Sequence, residues 1–572
     1  MLFLQSILNT TKMKRFLIIW AMWIAIAVLA ASCEKDIITL VDPSGSSDSG
    51  DDNIDNTTFG LTVSVVFSTS GNATVSGTDD NFTVTVNGND VTVVYTGDTT
   101  VMYTLSGTTN DGFFKLYSSR KQGITLNGVS ITNKNGAAVN VQGTQSEPSK
   151  GKRTFVVLSG TNTLADGSSY TDTPSTEDEK AAFFSEGQLI FSGDGSLTVT
   201  STGKNGIASD DYLHFTSGPS VTVTSTSGHG LRANDYIYVE GGTLDVTVSA
   251  NMKKGLSTDG YVYITGGKTT VKVTGSAAYD SEDKEYTGTA GVKADTYFRI
   301  DGGTLTITNS GTGGKGISGD GAGYFNGGTV SVTTTGSNYT TGDISSKAIK
   351  FDGELVFAGS DVTVSCSAHE GIESKGAITI SDGVVYSYSA KDDAINSAGD
   401  FTISGGYVCG HSTSNDGLDA NGNFYLKGGL VYAIGTSSPE VAVDANTEGG
   451  YKLYVQGGTI IAIGGLENNS SLTQSCYSAS SWSKNTWYAL TVGSTTYAFK
   501  TPSSGGTPLV VSGASTPTLQ SGVTVSGGTS IFNGTLTMDG SVSGGSSVSL
   551  SSYTGGNGGG GGPGGGGGPG GW

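Results

Sequence analysis

Acidic residues recur at the period of an internal repeat in the second half of the chain, and their side chains could bind a divalent cation. Carboxylates on successive layers of a stacked β structure would lie roughly 4.8 Å apart and repel by about 1 kcal/mol per pair even in a water-like dielectric. Oxygen ligands of this kind suit Ca²⁺, which would relieve the repulsion. The alternative is a set of solvated turn residues. The spacing predicts a calcium site at Glu370, Glu373, Asp393, Asp416, Asp419 and Asp444.

Basic residues occupy the equivalent repeat positions earlier in the chain, up to Lys350. Ammonium groups attract carboxylates, and the guanidinium of Arg232 could bind one in a bidentate fashion. We therefore expect this part of the chain to receive the carboxylates of an acidic glycan, with solvated turn residues again as the alternative. The residues are His229, Arg232, Lys254, Lys293, Lys315, Lys347 and Lys350.

Aromatic residues alternate with aliphatic ones at a third set of repeat positions, which predicts an outward-facing ladder of rings. Sugar rings stack on flat aromatic faces, although stacked aromatics also stabilise β-sheets without any ligand. The candidate glycan-binding rings are Tyr212, Tyr236, Tyr238, Tyr261, Tyr263 and Tyr297. A second outward set is expected at Tyr386, Tyr388, His411 and Tyr432.

A repeat of about 23 to 25 residues must position all three sets. A small residue followed by an aliphatic one recurs from Gly206-Ile207 to Ala442-Val443, and Gly-Gly pairs open strands in which apolar residues alternate with Thr or Ser. Short strands without a helical period do not fit a β-propeller blade or a leucine-rich repeat. The pattern predicts an all-β, right-handed parallel β-helix, in which the longer steps at 255–291 and 316–348 are insertions of the kind that often gather on a binding face.

The ends of the chain differ from the repeat region in composition. An apolar run after Lys12, Lys14 and Arg15 leads to Leu29-Ala30-Ala31-Ser32-Cys33, which predicts a lipoprotein signal peptide and acylation of Cys33. Acidic residues directly after Cys33 resemble a surface-export signal, so we expect an outer-membrane lipoprotein exposed at the cell surface. The predicted segments are 1–32 signal peptide, 33–57 flexible acidic tether, 58–465 β-helix with N-terminal coils and cap at 58–175, 466–554 C-terminal β continuation or cap, and 555–572 Gly-rich tail.

The net charge argues against one class of binding partner, and the cysteine positions limit the possible disulfide bonds. The 572 residues include 30 Lys and Arg against 50 Asp and Glu, a net charge of -20, which argues against nucleic-acid binding. Cys366 and Cys409 lie two repeats apart, too far for a disulfide in regular register, whereas Cys476 could reach either. Nothing in the sequence indicates an oligomer, and a monomer is the default expectation.

Four segments carry a resemblance to a known family. They are ITLNGVSITNKNGAAVNV, NTLADGSSYTD, KAAFFSEGQLIFSGDGSLTVT and NGIASDDYLHF, within a region of similarity over roughly residues 60–490. The chain resembles carbohydrate-binding β-helix proteins of cellulose-degrading clostridia and gut Bacteroidetes lipoproteins. The resemblance implies a pectate-lyase-like fold that binds cellulose-like and polygalacturonate-like polysaccharides, with calcium on the coils and without established lyase activity.

We therefore expect a surface lipoprotein that binds polysaccharide, with calcium assistance and without catalysis. The first alternative is a calcium-dependent polysaccharide lyase, whose base would be Lys347 or Lys350 beside Glu370 and Glu373, or Lys375 among them. The second alternative is a structural or adhesive surface rod. No HExxH, GxSxG or P-loop motif supports another enzyme class.

Overall fold

A computed structural model describes residues 52–171 and 173–555, and the chain divides into two units, Met1–Thr57 and Thr58–Trp572. The predicted signal peptide, Cys33, nearly all of the tether and residues 556–572 of the predicted tail lie outside the described residues. In the first unit the structure describes one short 3-10 helix, Ile54–Asn56, whose N-cap is Asn53.

The second unit is all-β, as predicted, and its two large sheets have 31 and 14 strands that pair mainly in parallel. Neither described range contains an α-helix. No helix within them is long and apolar enough to cross a bilayer. Mainly parallel pairing between successive repeats is consistent with the predicted β-helix, whereas the right-handed sense of the coil stays a prediction.

The first stack of strands contains the small-aliphatic marks of the repeat. Ile207 pairs with Leu231, which pairs with Leu256, and the same register continues to Leu418 and Val443. These aliphatic side chains are fully buried, so the residue after each one is directed outward. The stack consists of the antiparallel pair Phe82–Asn87 and Asp90–Tyr95, followed by Phe113–Ser118, Val139–Gln142, Ala181–Ser185, Asn205–Ser209, Leu231–Ala233, Lys254–Thr258, Ala290–Ala294, Lys315–Gly319, Lys347–Phe351, Ile372–Ser374, Ile395–Ser397 and Leu418–Ala420.

Two further stacks close each repeat around a continuous apolar core. The second stack consists of Leu61–Phe67, Val101–Thr109, Gln122–Asn127, Thr154–Ser159, Leu189–Gly193, Leu213–Phe215, Tyr236–Val239, Tyr261–Ile264, Tyr297–Ile300, Ala322–Phe325, Leu355–Cys366, Ile378–Ser389, Phe401–Ile403, Phe424–Leu426, Leu453–Val455 and Ser471–Leu472. The third stack consists of Ser130–Thr132, Thr161–Ala165, Ser196–Ser201, Ser220–Ser225, Thr243–Val248, Lys268–Val273, Thr304–Asn309, Thr329–Thr334, the later halves of Leu355–Cys366 and Ile378–Ser389, then Tyr407–Ser412, Leu430–Ile434 and Thr459–Ile463. The strand Thr74–Ser76 pairs antiparallel with Leu61–Phe67.

Gly-Gly turns join the second and third stacks. The second glycine of each pair has a positive φ, for example 72° at Gly242 and 77° at Gly303, a region that L side chains rarely adopt. A Cβ at Gly242 would also collide with the carbonyl oxygen of Pro219 on the preceding coil. The glycines are therefore required both by the turn and by the close spacing of the coils.

The C-terminal region turns antiparallel after the last coils. The strands Leu509–Ser512, Cys476–Ala479 and Ser551–Tyr553 extend the large sheet by antiparallel pairing. A separate six-stranded sheet consists of Trp487–Val492, Thr495–Lys500, Thr518–Ser526, Thr529–Ile531, Leu536–Met538 and Ser541–Val548. This region shares a second apolar cluster with the outer side of the third stack.

The second cluster corrects the expectation of a second outward aromatic face. Tyr386 and Tyr432 do point away from the main core, but they are 8% and 0% exposed because the C-terminal sheet covers them. The hydroxyl of Tyr432 donates a hydrogen bond to the carbonyl oxygen of Lys500 at 2.8 Å. This set therefore packs the C-terminal sheet onto the coils. Cys366, Cys409 and Cys476 are free and buried.

The two long repeat steps carry small structures of their own. The first contains a hairpin with strands Ala278–Asp280 and Glu285–Thr287, and the second contains the 3-10 helix Thr340–Gly342. Both extend from the coils that carry the predicted basic residues.

Candidate functional site

Four of the predicted basic residues line one pocket of about 240 Å³ on the first stack. They are Lys254, Lys293, Lys315 and Lys350, and the pocket also contains Tyr286 and Asp320. The register explains the opening. Lys254 and Lys315 are separated by Ala290, and Lys293 and Lys350 by Ser318, so that a small side chain on the intervening coil leaves a gap between the lysines of alternate coils.

The lysines of the pocket repel one another. Burial, together with Lys253, Lys293 and Lys315, lowers the pKa of Lys254 to about 8. Burial, together with Lys350 and Lys347, lowers the pKa of Lys315 to about 8. Neither ammonium forms a salt bridge within the described ranges, and that of Lys254 donates to the carbonyl oxygen of Met252 at 2.8 Å. The positive charges of Lys254 and Lys315 are therefore not neutralised by acidic side chains of the described residues, and an anion could pair with them.

Acidic side chains on the coils pair with three of the predicted basic residues, namely Arg232, Lys293 and Lys350. Arg232 pairs with Asp259 at 2.6 Å, whereas Lys293 pairs with Asp295 and Asp320. Lys350 pairs with Asp352. The sequence analysis did not predict these acidic partners. His229 accepts a backbone hydrogen bond from Lys254 at 3.0 Å, and burial, with the neighbouring cations, holds its pKa well below the usual range.

Lys347 differs from the other lysines because it belongs to a buried ion-pair network. Its ammonium lies 2.5 Å from Glu373 and 3.2 Å from Glu370, and all three residues are less than 9% exposed. These carboxylates raise the pKa of Lys347 against the effect of burial. Lys375 also contacts Glu373 at 2.5 Å. We call this group, with Lys347, Glu370, Glu373 and Lys375, the ion-pair junction.

His369 connects the ion-pair junction to a further carboxylate, that of Asp392. Its Nδ1 contacts Glu370 and lies 2.9 Å from Asp392. Burial opposes protonation, but the hydrogen bonds to both carboxylates outweigh it and raise the pKa of His369 to about 9. The histidine therefore carries a positive charge at neutral pH.

Three of the six predicted calcium ligands form a cluster. Carboxylate oxygens of Asp416, Asp419 and Asp444 all lie within 4.8 Å of one another. Among residues 52–171 and 173–555 no basic side chain forms a salt bridge to them. We call these three residues the carboxylate cluster. Of the other predicted ligands, Glu370 and Glu373 belong to the ion-pair junction, so the six do not form one site.

The pKa values of the clustered carboxylates are raised. Burial is the largest cause throughout, and neighbouring carboxylates add to it. Together they raise the pKa of Asp416 to about 9, that of Asp419 to about 7 and that of Asp444 to about 6. Asp393, whose carboxylate accepts the backbone N–H of Asp416 at 3.1 Å, has its pKa raised to about 7. Glu467 also contacts Asp444 and was missed by the sequence analysis.

The tyrosine ladder exists, but its rings stack on each other. Tyr212, Tyr236, Tyr261 and Tyr297 have successive centroid distances of 4.3, 4.8 and 4.7 Å and interplanar angles of 11°, 9° and 3°. Ring faces along the ladder are therefore covered by neighbouring rings. Tyr212 is only 4% exposed, and its hydroxyl accepts a hydrogen bond from Arg153 at 2.9 Å. The ladder therefore differs from the flat, open platform expected from the sequence.

A second row of stacked groups runs beside the first. Tyr238 stacks on His214 at 4.5 Å and on Tyr263 at 5.2 Å, and Arg299 lies 5.0 Å from the Tyr263 ring. Tyr238 and Tyr263 are 9% and 5% exposed. The parallel register explains both rows, since equivalent residues on adjacent coils are one strand spacing apart. The predicted role of these six tyrosines in glycan binding stays a prediction.

The lyase alternative required a base beside the metal ligands. The structure pairs Lys347 and Lys375 with Glu370 and Glu373, so these groups neutralise one another. The carboxylate cluster lies three coil steps from Lys350, the nearest lysine of the pocket, or roughly 14 Å at the usual strand spacing. A metal in the cluster would therefore be remote from the lysine pocket.

One family model matches part of the coil region. A family described as carbohydrate-binding domain-containing protein matches residues 87–288 and 246–338, which together span less than half of the chain. The matched region includes Lys254, Lys293 and Lys315 and ends before the carboxylate cluster. No curated protein matches the chain.

One solved structure is similar over part of the chain. It is described as the polysaccharide lyase-like protein from C. thermocellum, in a gadolinium derivative, and it is 23% identical. The alignment covers 46% of this chain and 96% of that one, with a TM-score of 0.37. At that score the likeness carries no argument about function.

Proposed function

We propose that this protein binds an acidic polysaccharide and that the pocket formed by Lys254, Lys293, Lys315 and Lys350 receives its carboxylates. The observation that carries the proposal is that four lysines line one pocket, two of them without an ion-pair partner in the described structure. Mutual repulsion among these lysines is relieved by an anion, and a polyanionic chain can follow the coils. The family match over residues 87–338 supports carbohydrate as the ligand class.

We also propose that calcium assists the protein by binding at the carboxylate cluster. Three carboxylates with oxygens within 4.8 Å, without a basic partner in the described part of the chain, provide the hard, negatively charged ligands that Ca²⁺ prefers. The residues fit the ion, and its charge would stabilise Asp416, Asp419 and Asp444 in their ionised forms.

A third proposal concerns location. The segment Leu29-Ala30-Ala31-Ser32-Cys33 supports acylation of Cys33 and a lipoprotein at the cell surface. Radioactive palmitate should label the wild-type protein but not a Cys33→Ser variant. Protease added to intact cells should degrade the wild-type protein if it is surface-exposed. Absence of labelling would contradict the anchor.

Calorimetric titration of polygalacturonate into the purified protein, with calcium and with a chelator, tests the binding proposal. We expect saturable heat that is lost in a Lys254→Met, Lys315→Met double variant. The matched control is Lys134→Met, because Lys134 pairs with Asp111 on the surface away from the pocket. Unchanged binding by the double variant would overturn the pocket assignment.

The same titration separates the two alternatives. Continuing heat with the appearance of unsaturated products that absorb ultraviolet light would indicate a lyase. Absence of heat with polygalacturonate and with a soluble cellulose-like glycan would favour a structural surface protein. Heat with the cellulose-like glycan alone would keep the polysaccharide function and remove the acidic ligand.

A further inference from the structure

The two insertions of the repeat meet beside the lysine pocket. Tyr286, at the end of the inserted hairpin, lines the pocket together with the lysines. Its ring lies 5.8 Å from the ring of Tyr339, which belongs to the second insertion, at an interplanar angle of 50°. A Cβ at Gly342 would overlap the Tyr286 side chain, so the second insertion packs closely against the first.

The hairpin places two exposed aromatic side chains together. Tyr279 and Tyr286 are directly opposite in the antiparallel pair, and their rings lie 5.2 Å apart in an edge-to-face arrangement. They are 51% and 39% exposed. Only two other large hydrophobic residues in the described ranges, Val66 and Tyr451, are comparably exposed. We call Tyr279, Tyr286 and Tyr339 the aromatic wall.

The aromatic wall differs from the tyrosine ladder in what it exposes. Ladder rings cover each other's faces at interplanar angles as small as 3°. Rings of the wall meet edge-to-face or at a tilt, an arrangement that does not cover both faces of each ring. Sugars stack through their C–H groups on an aromatic face, and exposed aromatics beside polar groups are typical of carbohydrate sites.

We propose that the aromatic wall is the sugar-stacking element of the lysine pocket. An acidic pyranose would place its ring against Tyr286 and Tyr279 while its carboxylate contacts Lys254 and Lys315. Charge complementarity selects the occupant, because the pocket beside the wall is lined by four lysines. This inference rests on the proposed function and adds that the site distinguishes a sugar ring from an anion alone.

Two polyanions of similar charge density test the inference. Polygalacturonate carries its carboxylates on pyranose rings, whereas poly-L-glutamate carries them on a peptide chain. In Tyr286→Ala we expect polygalacturonate to bind about tenfold more weakly, while poly-L-glutamate changes by less than about twofold. Lys315→Met should weaken both. Tyr286→Phe, which keeps the ring, should retain polygalacturonate binding, and Tyr451→Ala is the matched exposed-tyrosine control.

The outcomes separate the inference from the proposed function. If polygalacturonate binds and Tyr286→Ala leaves its affinity unchanged, or weakens both polymers equally, the aromatic wall is not a stacking element and the lysine pocket stands. If the wild-type protein binds neither polymer, the acidic-glycan function fails and the inference fails with it. Tyr279→Ala provides a second variant in case Tyr286→Ala disturbs the hairpin, which circular dichroism and thermal unfolding would reveal.

Discussion

The lysine pocket and the carboxylate cluster are built in the same way and differ in sign. Both arise on the first stack, where the strand register repeats a like charge, on alternate coils in the pocket and on adjacent coils in the cluster. In the pocket, burial together with repulsion lowers the pKa of Lys315 to about 8, and in the cluster burial together with repulsion raises that of Asp416 to about 9. Repetition of like charge therefore leaves each region poised to accept an ion of opposite charge.

The ion-pair junction lies between the lysine pocket and the carboxylate cluster, and it brings together opposite charges instead of like charges. There Lys347 meets Glu370 and Glu373, and the charges are neutralised within the protein. Opposite charges on adjacent coils give a structural element, whereas like charges give a candidate binding site. The three regions can be separated by substitution.

The largest expected effect is at the junction. Lys347→Met leaves Glu370 and Glu373 buried without their main partner, so the free energy of unfolding should fall by about 3–5 kcal/mol. Loss of the Lys350 pair in Lys350→Met should cost less than about 1 kcal/mol, because the side chain of its partner Asp352 is 46% exposed. Urea unfolding of both variants measures the difference. Equal losses would show that the junction is no more than a surface pair.

The next largest expected effect is a pH-dependent stabilisation of the protein by calcium at the carboxylate cluster. Folding raises the pKa of Asp416 to about 9 from an unfolded value near 3.8, so the folded state binds more protons between these values. Without calcium, this contribution to stability is complete below pH 4 and is lost as the pH rises toward 9. Calcium requires ionised carboxylates, so it should stabilise the protein at pH 8 by about 2.7 kcal/mol at one hundred times its Kd, and much less at pH 5.

Thermal unfolding across pH, with calcium and with chelator, measures this effect. The stabilisation by calcium should disappear in an Asp416→Asn, Asp419→Asn double variant and persist in Asp80→Asn, which alters an exposed carboxylate. Calcium stabilisation that survives the double variant would place the ion elsewhere.

Glycan binding should show the opposite pH dependence. Lys254 and Lys315 lose their protons near pH 8, so polygalacturonate should bind about tenfold more weakly at pH 9 than at pH 7. A Lys315→Arg variant stays charged and should flatten the profile. Titration calorimetry in chelator, which removes the calcium contribution, gives the two profiles. A profile that is flat in the wild-type protein would contradict a role for these lysines.

The smallest expected effect on binding is in the tyrosine ladder. Tyr261→Leu removes a ring stacked at 4.8 and 4.7 Å on its neighbours, which should lower the free energy of unfolding by about 1 kcal/mol. Polygalacturonate affinity should change by less than about twofold, because neighbouring rings of the ladder cover the faces of Tyr261. A tenfold loss of affinity in Tyr261→Leu would restore the ladder as the main glycan platform.

Much of the coil register could be predicted from the sequence. The aliphatic marks from Ile207 to Val443 pair in the predicted order, because an inward aliphatic residue at a fixed period leaves a stacked strand little choice of register. The outward positions of Lys293, Lys350 and Asp419 follow from the same parity. The sequence alone therefore predicts that these charged side chains line up along the outer face of the first stack.

Packing decides whether each of these outward residues is covered, paired or left as part of a candidate site. Parity places Tyr432 outward, but only the tertiary structure shows that the C-terminal sheet covers it. Tyr286 stands in an insertion outside the repeat, so no period indicated that it would line the lysine pocket. Likewise, Glu373 and Asp419 occupy equivalent positions, yet one is paired with Lys347 and the other is not.

The sequence by itself determined the all-β class, the repeat and the sorting of charge along the first stack. These follow from local alternation and period, which depend only on neighbours along the chain. The tertiary structure decided which charges neutralise each other, which rings cover each other and which insertions meet. Those outcomes depend on contacts between residues far apart in sequence, such as Tyr286 with Tyr339 and Tyr432 with Lys500, whose geometry no periodicity contains.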